Sequence, residues 1–367
     1  MALLSPSRRV RRTPFSDGVE AQGIKAYTVY NRMMLPTMFA SVEEDYYHLK
    51  QAVQVWDVSC ERQVQVQGSD ALRLIQILTP RDLSKITPNR CMYIPVTDQN
   101  GGMLNDPVLL QSGPETYWIS IADSDLLMWV NAIAACNGFD VEVSEPDVSP
   151  LGVQGPKSDD LMAQVFGEKI RDLRFFGCDR FEFGGFDFLI ARSGYSKQGG
   201  FEIYVEGTER GMPLWHALFE AGQPLDVRAG GPNLIERVES GLLSYGNDMT
   251  SDNSPLECGL GKFVSTSQLA TCFGGRAMRE ELETGSAQMI RAIEIDGNSV
   301  PGCDRAWPLH AGGEQVGQVT SATWSPDFKT NVAIGMVARA HWDADSEITV
   351  ETPTGPRAAR VCDGFWN

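Results

Sequence analysis

The sequence predicts an α+β protein: two related α+β units followed by a small all-β barrel or sandwich. Three observations carry this reading. Residues 60–140 run strand, helix, hairpin, strand, helix, and residues 148–221 repeat that order. A Gly-Gly pair marks the hairpin of each half. From about residue 287 helical periodicity stops, and short strands alternate with Gly/Pro turns.

In the first half, Gln63-Val64-Gln65-Val66-Gln67 alternates with a period of two, as a half-buried strand does. Ser69 or Asp70 then caps a helix with Ala71, Leu74, Ile75 and Leu78 on one face. Tyr93 to Leu110 reads as a hairpin around Asn100-Gly101-Gly102, and Tyr117 to Ala122 as a further strand. Leu126 to Cys136 is a helix that ends before Asn137-Gly138. In the second half, Val148 to Gln154 is an apolar strand, and Pro156 to Phe166 a helix with Leu161, Met162, Val165 and Phe166 inward. Phe181-Glu182-Phe183 and Phe186-Asp187-Phe188 flank Gly184-Gly185. Phe201 to Val205 is a strand, and Leu214, Trp215, Leu218 and Phe219 mark the next helix. The barrel strands are Arg291–Ile295, Gln315–Thr320, Val332–Val337 and Ile348–Glu351, with the polar stretch Glu280 to Gln288 as linker. The boundaries are therefore 1–147, 148–286 and 287–367, in keeping with roughly 150 residues per domain.

Composition removes several function classes. A formal net charge of -17 argues against nucleic acid as a partner, because phosphate binding needs clustered Lys and Arg. Arg8, Arg9, Arg11 and Arg12 read as a solvated basic strip. A twin-arginine export signal would need an apolar stretch where Thr13-Pro14-Phe15-Ser16-Asp17-Gly18 stands. The longest apolar run, Leu126 to Cys136, is too short to span a bilayer, so no membrane segment is expected. Eight scattered cysteines include no C-x-x-C pair and read as free thiols of a cytoplasmic protein. His48, His216, His310 and His341 are too far apart for a local metal cluster, and no metal is expected. There is no phosphate-binding G-x-x-x-x-G-K-[ST] loop and no G-x-S-x-G elbow. The remaining partner class is a small molecule; an oligomer is left open.

Six collinear motifs point to one family. Trp56-Asp57-Val58-Ser59, Gly101-Gly102-Met103-Leu104-Asn105-Asp106 and Leu151-Gly152-Val153-Gln154-Gly155-Pro156 come first. Arg192 to Ile203, Tyr245-Gly246-Asn247-Asp248 and Thr320 to Pro326 follow. Together they resemble the F-D-V-S, G-G-I-x-D-D, L-x-x-Q-G-P, R-T-G-Y-T-G-E-x-G-F-E-I, Y-G-N-D and T-S-G-x-x-S-P segments of the glycine cleavage T-proteins. The resemblance implies their folate-binding fold, with tetrahydrofolate as cofactor. Ser7 to Phe15, Tyr27 to Asn31, Ser196 to Gly200 and Pro232 to Arg237 are similar to one branch, the dimethylsulfoniopropionate demethylases. That likeness covers nearly the whole chain. It implies transfer of a methyl group from a sulfonium to folate nitrogen 5, giving methylmercaptopropionate and 5-methyltetrahydrofolate. Tyr195 stands where the branch pattern has Trp, which bears on substrate preference.

The resemblance also assigns residues. One carboxylate can accept two adjacent N–H donors from the amino-pyrimidine edge of a pterin, and Glu202 matches the family residue that does so. The plainer reading is a strand-end carboxylate in water. Tyr195 is read as packing on the folate, Tyr93 as an aromatic near it, and Tyr204 as either a folate contact or core, on the same strand face as Glu202. Asp106 matches the catalytic carboxylate of the family, able to orient folate or take the proton leaving nitrogen 5; otherwise it is a turn Asp before Pro107. A sulfonium departs as a neutral thioether and needs orientation more than a strong acid. Tyr30, Tyr195 and Trp324 are candidates for an aromatic lining around the cation, and Lys197 for the substrate carboxylate. Asn105 and Asn233 replace the first Asp and the first Arg of family motifs, which argues against aminomethyl transfer. The alternatives left open are demethylation of another sulfonium or quaternary ammonium compound, aminomethyl transfer, and a folate-binding regulatory module without turnover.

Overall fold

The structure, a computed structural model, describes residues 7–366. The chain gathers into two compact units. Of the described residues, the first contains 7–71, Ile86–Met92 and Val108–Asn233; the second contains Leu72–Lys85, Tyr93–Pro107 and 234–366.

The first unit is organised around a six-stranded sheet. Its order is Cys178–Phe183, Phe186–Ala191, Gly200–Glu206, Val148–Gln154, Val53–Asp57 and Val227–Gly230. All neighbours are antiparallel except the last pair. Alternate residues point to opposite faces. Val53, Val55, Leu151, Val153, Phe188, Ile190, Phe201 and Ile203 therefore share one face. They bury it against Leu161 and Met162 of helix Ser158–Phe166 and Leu214, Trp215 and Leu218 of helix Gly211–Gly222. Gly184 and Gly185 join the first two strands with φ of 64° and 81°, the left-handed pair that a tight hairpin turn requires. A second antiparallel sheet in this unit runs Glu142–Ser144, Gln63–Gln67, Thr116–Ser120, Val108–Gly113. Helix Leu126–Asn137 ends at Gly138 in the left-handed region, as its sequence predicts.

The hairpin Ala26–Tyr30/Met33–Met38 is absent from the sequence reading. Its turn is Asn31-Arg32, with φ of 47° and 62°. Asn31 favours such a turn but Arg32 does not, so the local signal is weak. It is held from outside: the Asn31 amide donates to the carbonyls of Cys60 (2.9 Å) and Ala122 (3.0 Å), and its Oδ1 accepts from the Ser124 N–H (3.1 Å).

The second unit carries the closed barrel. Its six strands are ordered Gln288–Ile295, Thr330–Ala338, Glu314–Ser325, Trp307–Ala311, Glu347–Thr352 and Gly355–Val361. Trp307, Leu309, Val319, Ala333, Val337, Val350 and Val361 help fill the interior. Two of these strands escape the sequence reading. Pro308 interrupts one, and Gly355-Pro356 with Arg357 and Arg360 obscures the alternation of the other. The stretch Glu280 to Gln288 is mostly not a linker. Helix Gly275–Thr284 runs through its first half with Met278 buried, and the acidic residues are that helix's solvent face. The expected Tyr93 to Leu110 hairpin is shorter than predicted: Val96–Thr97 pairs with Met103–Asn105, while Val108–Gly113 pairs onward with Thr116–Ser120. Among the described residues, no helix is long and apolar enough to cross a membrane.

Asp248, last residue of the Tyr-Gly-Asn-Asp motif, is the polar tie of the second unit. Its side chain is fully buried. Oδ2 accepts from Arg237 Nη1 and the Ser244 N–H, both at 2.9 Å; Oδ1 accepts from Ser321 Oγ (2.6 Å) and Thr320 Oγ1 (2.7 Å). Removing one partner of a buried pair strands the other charge, at a cost of about 3–5 kcal/mol. Asp248→Ala is expected to lower unfolding free energy by that amount in urea titrations, and Asp248→Asn, which keeps acceptor and shape, by less. An Asp248→Ala variant as stable as the parent would remove Asp248 from this role.

Candidate folate and onium site

In the first unit, strand Gly200–Glu206 sets the site. Phe201, Ile203 and Val205 take one face into the main apolar core. The opposite face presents Glu202 and Tyr204. Glu202 is 7% exposed, and its Oε2 accepts a 2.5 Å hydrogen bond from Ser193 Oγ. Burial pushes the Glu202 carboxyl up from its ordinary range, while hydrogen bonds from Ser193 and Tyr204 pull the other way. Tyr204 is almost fully buried beside Trp118, Cys91, Leu189 and Ala191. It is placed to brace Glu202 from the core.

The loop that follows Ser193 carries Tyr195 and Lys197, and Gln154 holds it. Gln154 is buried; its Nε2 donates to the carbonyls of Ser193 (3.1 Å) and Phe201 (3.3 Å), and its Oε1 accepts from Ser196 Oγ (2.9 Å). The loop lies so close that a Cβ on Gly194, at φ 150°, would sit 2.1 Å from the Gln154 amide. Only glycine permits that approach. Tyr195 and Tyr30 are both half-buried and pack on one apolar cluster, Met33, Leu35, Leu49, Trp56, Val58 and Cys60. Lys197 is exposed on the same loop. Five of the residues expected from sequence, Glu202, Tyr204, Tyr195, Tyr30 and Lys197, thus belong to this unit.

Asp106, Tyr93 and Trp324 belong to the second unit. Asp106 follows strand Met103–Asn105, and its Oδ2 accepts from the Tyr93 hydroxyl at 2.9 Å. Its Oδ1 is buried and has no hydrogen-bond partner among the described residues. Burial, opposed by the Tyr93 hydrogen bond and reinforced by the Asp248 charge, pushes this carboxyl up to about 7. An orphaned buried acceptor is costly unless a ligand satisfies it. Tyr93 packs against Phe263 at a tilt of 52° with centroids 5.1 Å apart, and the Arg81 guanidinium lies 4.8 Å over the Phe263 ring. Trp324 is half-buried on strand Glu314–Ser325, opposite Asn331. Asn233, where the family motif has Arg, is 4% exposed and donates its amide to the Val42 carbonyl at 2.8 Å.

Ser193, Gln154, Arg81 and Phe263 received no role from the sequence. Ser193 and Gln154 lie within quoted motifs, where a hydroxyl and an amide flanking glycines were the available signal. Arg81 and Phe263 carry no local signal, because 182 positions of chain separate them. Among the described residues no group of His, Cys, Asp and Glu could hold a metal ion.

Residues 15–268 match the family model described as the GCVT N-terminal domain, and residues 289–366 the one described as the glycine cleavage T-protein C-terminal barrel domain. The chain is 59% identical over 366 residues to the dimethylsulfoniopropionate demethylase DmdA of Ruegeria pomeroyi, covering 100% of each. It is 29% identical to an aminomethyltransferase of Bacillus cereus, over 93% of this chain and 94% of that one. The crystal structure of the glycine cleavage system aminomethyltransferase T from Bartonella henselae has the same fold, with a TM-score of 0.86 at 22% identity over 98% of both chains. Motifs, barrel and these matches agree: the chain belongs to the glycine cleavage T-protein family.

Proposed function

We propose that this protein is a tetrahydrofolate-dependent demethylase of dimethylsulfoniopropionate, acting in the cytoplasm. The observation that carries the reading is the 59% identity along the full length of a protein named for that activity. The arrangement around Glu202 supports it. When bound, tetrahydrofolate supplies the lone pair of nitrogen 5 as methyl acceptor. The N–C bond would form as the C–S bond breaks, sulfur would keep the bonding pair as a neutral thioether, and the nitrogen proton would have to leave. Glu202, fixed by Ser193 and braced by Tyr204, is suited to accept the paired N–H donors of the pterin edge. Asp106, with an unpartnered Oδ1, is the proposed proton acceptor, held by Tyr93. Tyr195 and Tyr30 are proposed to face the cation with their rings, Trp324 to add to that lining, and Lys197 to meet the substrate carboxylate. Aromatic faces suit a cation that must react, because a carboxylate there would hold the ground state too tightly. The division into 1–147, 148–286 and 287–367 is part of the same proposal.

A second reading, demethylation of another sulfonium or a quaternary ammonium compound, is favoured by one observation: Tyr195 in place of Trp. Turnover of purified protein with tetrahydrofolate and a panel of methylated onium compounds tests both. Dimethylsulfoniopropionate is expected to turn over fastest, and aminomethyl-lipoyl carrier protein to release no ammonia. Fastest turnover of another onium would favour the second reading, and ammonia release at comparable rates would overturn the assignment.

Folate and sulfonium recognition are expected to separate by mutation. Glu202→Ala removes a charge-assisted hydrogen bond and is expected to weaken tetrahydrofolate binding by about 1.5–3 kcal/mol in calorimetry. Tyr195→Leu keeps bulk but loses the ring face. It is expected to weaken sulfonium binding by about 0.5–2 kcal/mol with folate affinity nearly unchanged, and Tyr195→Trp to tighten it or shift onium preference. If Tyr195→Leu binds dimethylsulfoniopropionate as well as the parent does, the cation contact is wrong.

Asp106 gives a pH signature. As an acceptor it acts ionised, so the rate is expected to fall as pH drops below about 7. Asp106→Asn should lower kcat by roughly 10²–10⁴ and remove that limb. Stability runs the other way. A carboxyl raised on folding favours the protonated native state, so its contribution is complete below the ordinary carboxylate range and is lost as pH rises through 7. Asp106→Asn should therefore raise the melting temperature relative to the parent at pH 8 and not at pH 4. A kcat profile that keeps its acid limb in Asp106→Asn would assign the limb to another group.

A further inference from the structure

One basic feature of the first unit lies outside the folate and onium residues. Arg8, Arg9, Arg11, Arg32 and Arg62 line a cavity of about 550 Å³. In a chain of net charge -17, five arginines around one cavity are not a product of average composition. Three separate stretches bring them together, and each stretch is pinned. Arg32 sits at the Asn31-Arg32 hairpin turn, which the Asn31 side chain ties to residues 60, 122 and 124. The segment bearing Arg8, Arg9 and Arg11 is laid on that turn: the Arg11 N–H donates to the Arg32 carbonyl at 2.7 Å, and Arg11 bridges to Met33. Arg62 follows Cys60, one of the carbonyls that hold Asn31.

The carboxylates present answer only part of this charge. Glu145 accepts from Arg11 (2.8 Å) and from Arg62, and Asp125 pairs loosely with Arg32 at 3.3 Å. Those two arginines of Glu145 hold its carboxyl below the ordinary range against the opposing effect of burial. Arg8 and Arg9 have no carboxylate partner among the described residues; Arg9 meets only Ser7. Glu145 thus acts as an anchor that orients two guanidiniums, and Arg8, Arg9 and Arg32 keep donors to offer. A single exposed guanidinium holds a monovalent anion poorly in water. Several that converge on one cavity can engage a run of adjacent anionic groups, each in the forked, two-bond geometry that arginine favours.

We propose that this arginine cradle is a binding site for a multivalent anion carrying adjacent phosphate or carboxylate groups. Among the described residues no aromatic ring lines the cavity, so the anionic run is read rather than a base or ring attached to it. The site does not depend on which onium the protein demethylates.

Calorimetry at low ionic strength, with inorganic tripolyphosphate, ATP and citrate as separate probes, tests it on the full chain. Saturable binding of tripolyphosphate or citrate is expected, weakening steeply as salt is raised. Tighter tripolyphosphate identifies a phosphate ligand and tighter citrate a polycarboxylate; ATP equal to tripolyphosphate shows that the nucleoside is not read. Arg8→Ala/Arg9→Ala/Arg32→Ala should weaken binding at least ten-fold. These side chains are exposed, so the variant should fold, and its melting temperature without anion checks this. Arg276→Ala, on helix Gly275–Thr284, should bind as the parent does. Absence of saturable binding, equal binding by the triple variant, or an equal loss in Arg276→Ala would each overturn the proposal.

Discussion

The burial of one carboxylate, Glu202, is the constraint on which the candidate site depends. A charge placed inside a protein is tolerated only where hydrogen bonds compensate for lost water. Strand Gly200–Glu206 meets that condition by its period of two. Phe201, Ile203 and Val205 are committed to the core on one face, which fixes the register and leaves Glu202 no freedom to turn away. Ser193 then supplies the short hydrogen bond, and Gln154 holds the Ser193 carbonyl and the glycine loop beyond it. The same amide therefore positions a residue that touches Glu202 and the loop that carries Tyr195. Packing, register and site geometry are one arrangement here.

The two raised carboxyls illustrate how similar burial serves different chemistry. Glu202 is met by hydroxyl donors, so its charge is partly compensated before any ligand arrives. Asp106 has one hydroxyl partner and one oxygen with none, so it remains close to the point where it gains or loses a proton near neutrality. A compensated carboxylate suits recognition of fixed N–H donors, and a poised one suits proton transfer.

Much of the fold was legible because its signals are local. Gln63–Gln67 shows bare alternation, Gly184-Gly185 a turn that few other residues allow, and Asn137-Gly138 a helix end. What escaped was set by distant partners. The Asn31-Arg32 turn is unfavourable by itself and exists because residues 60, 122 and 124 satisfy Asn31. Strand Trp307–Ala311 contains Pro308, which propensity alone rejects and barrel pairing tolerates. Site residues divide the same way. Glu202 and Asp106 are candidates through ordered motifs, whereas spacing gave no hint that Phe263 would lie beneath Arg81 and Tyr93. Tyr204, which alternation placed on the face of Glu202, is held in the core beside Trp118, and only burial distinguishes a brace from a direct contact.

The motif departures also have a physical meaning beyond classification. Arg and Asn differ by a charge and by reach, so a site built around a guanidinium does not survive the exchange unless its purpose changes. Asn233 spends its amide on the Val42 carbonyl within its own unit, a neutral, short-range contact. A neutral contact there is consistent with a substrate that arrives already cationic and leaves as a neutral thioether. An aminomethyl donor presents a different charge history, with a nitrogen that must be expelled and protonated. Asn233 in place of Arg therefore argues against aminomethyl transfer, while Glu202 and Asp106 stand where the family motifs place their carboxylates, as the proposed folate chemistry requires.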